Sequence, residues 1–286
     1  MDCDTLITKS PTPQDTLQAA ASLVDQPLDL AEVALAFAAM DRPSVPLEHY
    51  RAALAAMVNA VAKRLTDLPE GSSAGDRAAC LGQALSEDLA FKGDAATYDD
   101  LQNADLTRVI DRHKGLPVAL GILYIHAARG QGWVGEGLSF PNHFLIRVQI
   151  GADPVILDPF NQGRSMDAPA LRGLIRDMFH GKGVLASATT ESVPDRHVLM
   201  RLQNNIKLRL HHSERFTEAL EILERMRMLA PDLPHLQREA GMINAQIGNL
   251  GAAITLLRSY LDDGAGDPTD RHRTTQLLQE MQKRLN

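Results

Sequence analysis

The chain has 286 residues, 44% of them hydrophobic and only 4% aromatic, which is enough apolar material for two cored domains and, being rich in Ala and Leu, favours helix over sheet. Its formal charge is −7, from 29 Lys plus Arg against 36 Asp plus Glu, and no long basic run is present. That excludes the electrostatic footprint of a nucleic-acid binder.

The first residues, Met1-Asp-Cys-Asp-Thr-Leu-Ile-Thr-Lys, lack the charged-then-apolar order of an export signal, and no run of ~18 apolar residues occurs anywhere. No membrane is expected. With only Cys3 and Cys80 there is no disulfide framework, so a reducing cytoplasm is the expected setting. Residues 1–27, with Pro11 and Pro13, read as a flexible N-terminus. Apolar residues at three-to-four spacing predict helices over 29–40, which Asp29 can cap, and over 45–65, separated by Pro43 and Pro46. A loop over 68–75 leads to a helix over 76–91 with Ala79, Cys80, Ala84 and Leu89 on its apolar face, stopped by Gly93.

A short helix over 105–113 precedes the break Gly115-Leu-Pro117. From Pro117 to Arg129 the chain is apolar almost all round, the pattern of a buried helix with proline in its first turn. Three strand-like runs follow, over 132–139, 143–150 and 155–157, and Gly151-Ala-Asp-Pro154 is a hairpin turn between the last two. This brings His143 and Asp158 onto adjacent strands. A carboxylate bonded to one imidazole nitrogen fixes the tautomer and frees the other nitrogen to act as base.

After Leu199 the character changes. Ala219, in Phe216-Thr-Glu-Ala-Leu-Glu-Ile-Leu223, and Ala253, in Leu250-Gly-Ala-Ala-Ile-Thr-Leu-Leu257, stand 34 residues apart, the period of a tetratricopeptide helix hairpin. Gly241 falls where the two helices of the second repeat pack closely, and Pro231 ends the second helix of the first. A polar-faced helix over 269–285 would cap the stack.

Other chemistry has little support. Cys80 has no adjacent basic cluster or helix N-terminus to lower its pKa, which leaves structural burial. No metal is expected, since His113 and His126 lack a matching ligand pair and the adjacent His211 and His212 point to different faces. No cofactor is expected either, because Gly130-Gln-Gly132 lacks a third glycine and leads into a strand.

The run of Asn103, Gly115-Leu-Pro117, Leu123-Tyr124, Ala128-Arg129, Gly132, Phe140-Pro-Asn-His143-Phe-Leu-Ile-Arg147 and Leu157-Asp158-Pro-Phe-Asn161 resembles the bacterial SirB-type transglutaminase-like family. Gln203-Asn-Asn205-Ile-Lys207 and the repeats after it resemble the tetratricopeptide tail of those proteins. The resemblance implies an α+β, predominantly helical protein. Its papain-like core (28–190) would pack a helical bundle on a small antiparallel sheet, and a helical repeat tail (195–286) would follow. In active relatives a Gly-x-Cys opens the buried helix and its thiolate attacks an acyl carbon. Here Gly115 matches that glycine, and the positions after it hold Pro117, Val118 and Ala119. The cysteine is absent, and family members commonly have Ser or Thr at the position of Ala119.

The expected site is therefore the pair His143 and Asp158, vestigial or candidate catalytic residues, with Asn103, Asn142 and Asn161 as candidate binding residues. The favoured reading is a pseudoenzyme that binds a protein or peptide partner through its groove and repeat tail. The alternative is a hydrolase or transferase in which His143 and Asp158 activate water or a substrate hydroxyl. A third possibility has Cys80 reaching the histidine from a neighbouring helix.

Overall fold

The computed structural model describes residues 11–24, 26–140, 143–178, 190–264 and 266–285. Helix α1 (Pro13–Ser22) opens with a capping box: Thr12 Oγ1 accepts from Asp15 N, and the Asp15 carboxylate accepts from Thr12 N. The helix falls inside the 1–27 segment expected to be flexible, of which residues 1–10 lie outside the described residues. Leu17 and Ala20 are buried where α1 meets α2 (Leu30–Asp41), giving the helix an apolar face to bury despite its polar flanks. Asp29 caps α2, which is apolar enough to be buried nearly all round, and α3 (Leu47–Thr66) follows Pro46.

The helix expected over 76–91 divides in two. Helix α4 (Ala74–Gln83), capped by Ser73, widens into a π turn over Ala84–Asp88, and the chain then leaves through β1 (Lys92–Gly93). Helix α5 (Leu106–Arg112) ends at His113, whose φ of 55° turns the chain into β2 (Lys114–Gly115), paired in parallel with β1. Helix α6 (Pro117–Arg129) runs through the centre of the core with Pro117 to Ile125 all buried.

The sheet is formed by β3 (Val134–Leu138), β4 (Ile146–Ile150), β5 (Asp153–Asp158), β6 (Arg164–Ser165) and, after α7 (Ala168–Met178), β7 (Ser192–Val193). Its order is β6-β5-β4-β3-β7, antiparallel throughout, with Ile146 opposite Leu157 and Val148 opposite Val155. Strand β4 begins three residues later than its alternation suggested. Phe144 and Leu145 are both buried, so the approach to the strand is enclosed on both sides.

Helices α8 (Asp195–His212), α9 (Phe216–Leu229), α10 (Pro234–Gln246), α11 (Leu250–Asp262) and α12 (Pro268–Leu285) complete the chain. Ala219 and Ala253 are fully buried on α9 and α11. A Cβ on Gly241 would lie 2.7 Å from Leu257, so glycine sets the close crossing of α10 and α11. The main hydrophobic core runs without interruption from α1 through α6 and the sheet into α8, α9 and α10. Asp195 accepts from Arg129 Nη2 at 2.8 Å and from Leu28 N at 2.8 Å, tying the start of α8 to the end of α6.

Candidate active site

Asp158 ends β5 and caps the 3-10 turn Pro159–Asn161. Its Oδ1 accepts from the backbone N–H groups of Phe160 and Asn161, both at 3.2 Å, and its Oδ2 accepts from Asn161 Nδ2 at 2.7 Å. His143 lies across the hairpin with Nε2 3.0 Å from Oδ1, an ion-pair approach in which the ring N–H points off the line to the oxygen. Burial opposes ionisation of Asp158, yet the contacts from His143 and then Asn161 outweigh it and hold the carboxyl below the usual range.

The histidine is fixed from its backbone side. Arg201 on α8 donates from Nη2 to the His143 carbonyl at 2.7 Å and from Nη1 to the Phe140 carbonyl at 3.4 Å, with its guanidinium 5.4 Å from the centre of the Phe144 ring. The Phe160 ring meets the His143 ring edge-on at 6.4 Å, and Tyr98 meets Phe160 at 5.9 Å. Phe160 lies against Gly93, where a Cβ would come within 2.6 Å of the ring. Strand β1, paired with the strand just before α6, thus supports the aromatic wall beside His143.

The first turn of α6 presents neither thiol nor hydroxyl to this pair. Pro117, Val118 and Ala119 are buried and apolar, and one turn on Gly121 lets the Phe144 ring pack directly on the helix backbone. Deeper along the helix, the buried Tyr124 hydroxyl has no hydrogen-bond partner. Its pKa is raised by burial first and then by the Asp158 charge. Cys80 is also buried: its Sγ lies 3.8 Å from the Arg64 carbonyl on α3, and burial raises its pKa. Two residues on, Gly82 faces the opposite way, onto Gly163 at the end of the Asp158 turn. The thiol is therefore turned away from His143 by roughly half a helical turn.

The three asparagines separate. Asn161 belongs to the site through Asp158. Asn103 does not: Nδ2 donates to the Thr97 carbonyl at 2.6 Å, Oδ1 accepts from Arg112 at 3.1 Å, and its carbonyl accepts from Leu116 N at 2.8 Å. With both side-chain polar atoms engaged and the residue fully buried, it fastens the start of α6. Asn142 lies outside the described residues. Sequence reasoning missed Tyr98, Tyr124, Phe160, Arg201 and Arg209, whose contacts depend on pairings far apart in the chain. Among the described residues no group of His, Cys, Asp or Glu is arranged to hold a metal ion, and no helix is long and apolar enough to cross a membrane.

Residues 48–204, more than half of the chain, match the transglutaminase-like superfamily. The chain belongs to that superfamily. Residues 206–279 match the tetratricopeptide repeat, a module that generally mediates protein–protein contacts, and the two matches meet within α8. The chain is 28% identical over 244 residues to a UPF0162 protein of Xylella fastidiosa, covering 84% of this chain and 86% of the relative. To a UPF0162 protein of Vibrio cholerae it is 30% identical over 195 residues, 67% of this chain and 71% of that one. A shorter likeness, 35% over 81 residues, links it to mouse F-box only protein 21, covering 28% of this chain and 13% of that protein. Within the matched stretch His143 and Asp158 lie against each other, and the first turn of α6 carries the apolar side chains of Pro117, Val118 and Ala119.

Proposed function

We propose that this chain is a non-catalytic transglutaminase-like protein of the SirB-type group, an interaction or regulatory module that binds a protein or peptide through its groove and its repeat tail. The observation that carries this reading is the first turn of α6, where Pro117, Val118 and Ala119 are buried and offer neither thiol nor hydroxyl. Without such a group no acyl-enzyme can form on that helix, and loss of a triad nucleophile removes on the order of a millionfold in rate. The tail supports the binding half of the reading, since stacked helix hairpins expose surface for a partner. A cytoplasmic setting belongs to the same reading, resting on the two cysteines and the acidic balance.

Affinity capture from native cytoplasm tests the binding half. The full chain should retain a defined partner set that is lost when α10, α11 and α12 are removed. Capture of the same set by both forms would overturn a recruiting role for the tail.

A second reading is a hydrolase or transferase that works through His143 and Asp158 alone. It is favoured by the contact of His143 Nε2 with a carboxylate held ionised, which leaves Nδ1 to take a proton from water or a substrate hydroxyl.

A further inference from the structure

Helix α8 is shared by both matched stretches, since the transglutaminase-like match ends at residue 204 and the repeat match starts at residue 206. It is a single stiff rod. Its 18 residues contain neither glycine nor proline, the residues at which helices most often bend.

One face of the rod holds the site loops. Arg201 donates to the carbonyls of Phe140 and His143, at 3.4 and 2.7 Å. One turn on, Asn205 donates from Nδ2 to the Arg201 carbonyl at 2.8 Å and accepts at Oδ1 from Arg209 Nη1 at 3.0 Å. Arg209 donates in turn to the Tyr98 carbonyl at 3.3 Å. A string of side chains on α8 thus carries both the His143 loop and the Tyr98 loop.

Another face meets the repeat. Lys207 lies six positions beyond Arg201, about 9 Å along the helix axis, and is buried in an ion pair with Glu239 on α10. A buried ammonium is costly to leave unpaired, so this contact ties the seat of α10 to that of α8. Leu202, Ile206 and Leu210 are buried in the same core that takes α9 and α10. The seating is not saturated. Gln203 Oε1 and Arg209 Nε are both buried without a hydrogen-bond partner among the described residues. Such atoms at a helix interface leave bonding capacity for a second, slightly shifted seating, the kind of displacement by which packed helices switch.

We propose that α8 is a lever between the two halves of the chain: a change of load at the Lys207–Glu239 contact shifts α8 and moves the His143 loop through Arg201. The inference rests on the partner-binding reading above and adds how a partner seated on the repeat is felt at His143. Coupling of this kind is reciprocal, so a ligand at the His143 loop also alters the repeat. A separate tie, from Arg225 on α9 to Asp41 on α2 at 2.6 Å, joins the repeat to the core without touching α8 or the loop.

The test is amide hydrogen exchange of the full chain, comparing residues 143–150 with α3, which packs on α2, α4, α5 and α6. Wild type is set against Glu239→Gln and Lys207→Met, each alone and combined with Arg201→Lys, and against Asp41→Asn. Either change at the α10 contact should speed exchange over 143–150 by about threefold, within the range of coupling between linked sites, and leave α3 unchanged. In the Arg201→Lys background the same changes should add little, and Asp41→Asn should leave 143–150 as in the wild type. Unchanged exchange over 143–150 in both single variants would overturn the lever. So would equal acceleration of α3, which marks global loosening, or an equal effect of Asp41→Asn. Full additivity with Arg201→Lys would take Arg201 out of the path and overturn it as well. No partner is needed for these measurements, so their failure leaves the partner-binding reading to the capture experiment.

Discussion

Arg201, on α8 and within the stretch that matches the transglutaminase-like superfamily, donates to the backbone carbonyl of His143 at 2.7 Å. The loop that carries the candidate site histidine is thus held by an element beyond the sheet, 58 residues away in sequence. Arg201→Ala should remove two charge-assisted bonds to carbonyls and a cation–π contact, lowering stability by about 2 kcal/mol in urea denaturation. An unchanged midpoint would show that the loop holds its position without the brace.

Asp158 sets the acid limit of the same region. Its folded-state pKa is depressed, by contacts from His143 and Asn161 that outweigh burial. In the unfolded chain an aspartate titrates near about 3.9. The stabilising contribution is therefore complete above that value and is lost as pH falls from there through the lower folded pKa. Stability measured against pH should decline over this acid window in the wild type and less steeply in Asp158→Asn. Parallel profiles would mean that Asp158 does not carry this linkage.

How far the site could be read from sequence depended on the range of each signal. The apolar run of α6, the hairpin joining β4 to β5 and the 34-residue repeat are local patterns, and they located His143, Asp158 and the tail. The two-residue strands β1 and β2 have no periodicity to detect, and their pairing is what brings Gly93 under Phe160. Arg201 and Arg209 look like ordinary polar positions of an amphipathic helix until the sheet and the Tyr98 loop are folded against it. A buried asparagine that pins a loop, as Asn103 does, has the same sequence appearance as one that contacts a ligand.

Gly121 marks the closest approach of α6 to the approach of β4. A Cβ there would drive into the Phe144 ring, which neighbours His143. Gly121→Ala gains helix propensity yet should lower stability by about 1–3 kcal/mol through overpacking. Thermal unfolding of the variant decides it, and a raised midpoint would show that the ring moves aside freely.

The unbroken core makes the position of a truncation decisive. A chain ending before α8 loses the buried Val198, Leu199, Leu202 and Leu210 and leaves Arg129 without Asp195. At about 1.5–3 kcal/mol for each buried side chain, this exceeds much of the ~5–15 kcal/mol that stabilises a typical domain. Such a fragment should fail to fold cooperatively by circular dichroism and urea titration, whereas one retaining α8 and α9 should fold. A folded fragment ending at residue 194 would show that the core is divisible there.

The central claim is that the His143–Asp158 pair has no nucleophile to serve. Its most direct test is turnover of acyl-donor and ester probes by the purified full chain, followed beside His143→Ala and Asp158→Asn. The account predicts no turnover above background in any of the three and no covalent adduct by intact mass. Turnover by the wild type that disappears in His143→Ala would contradict it.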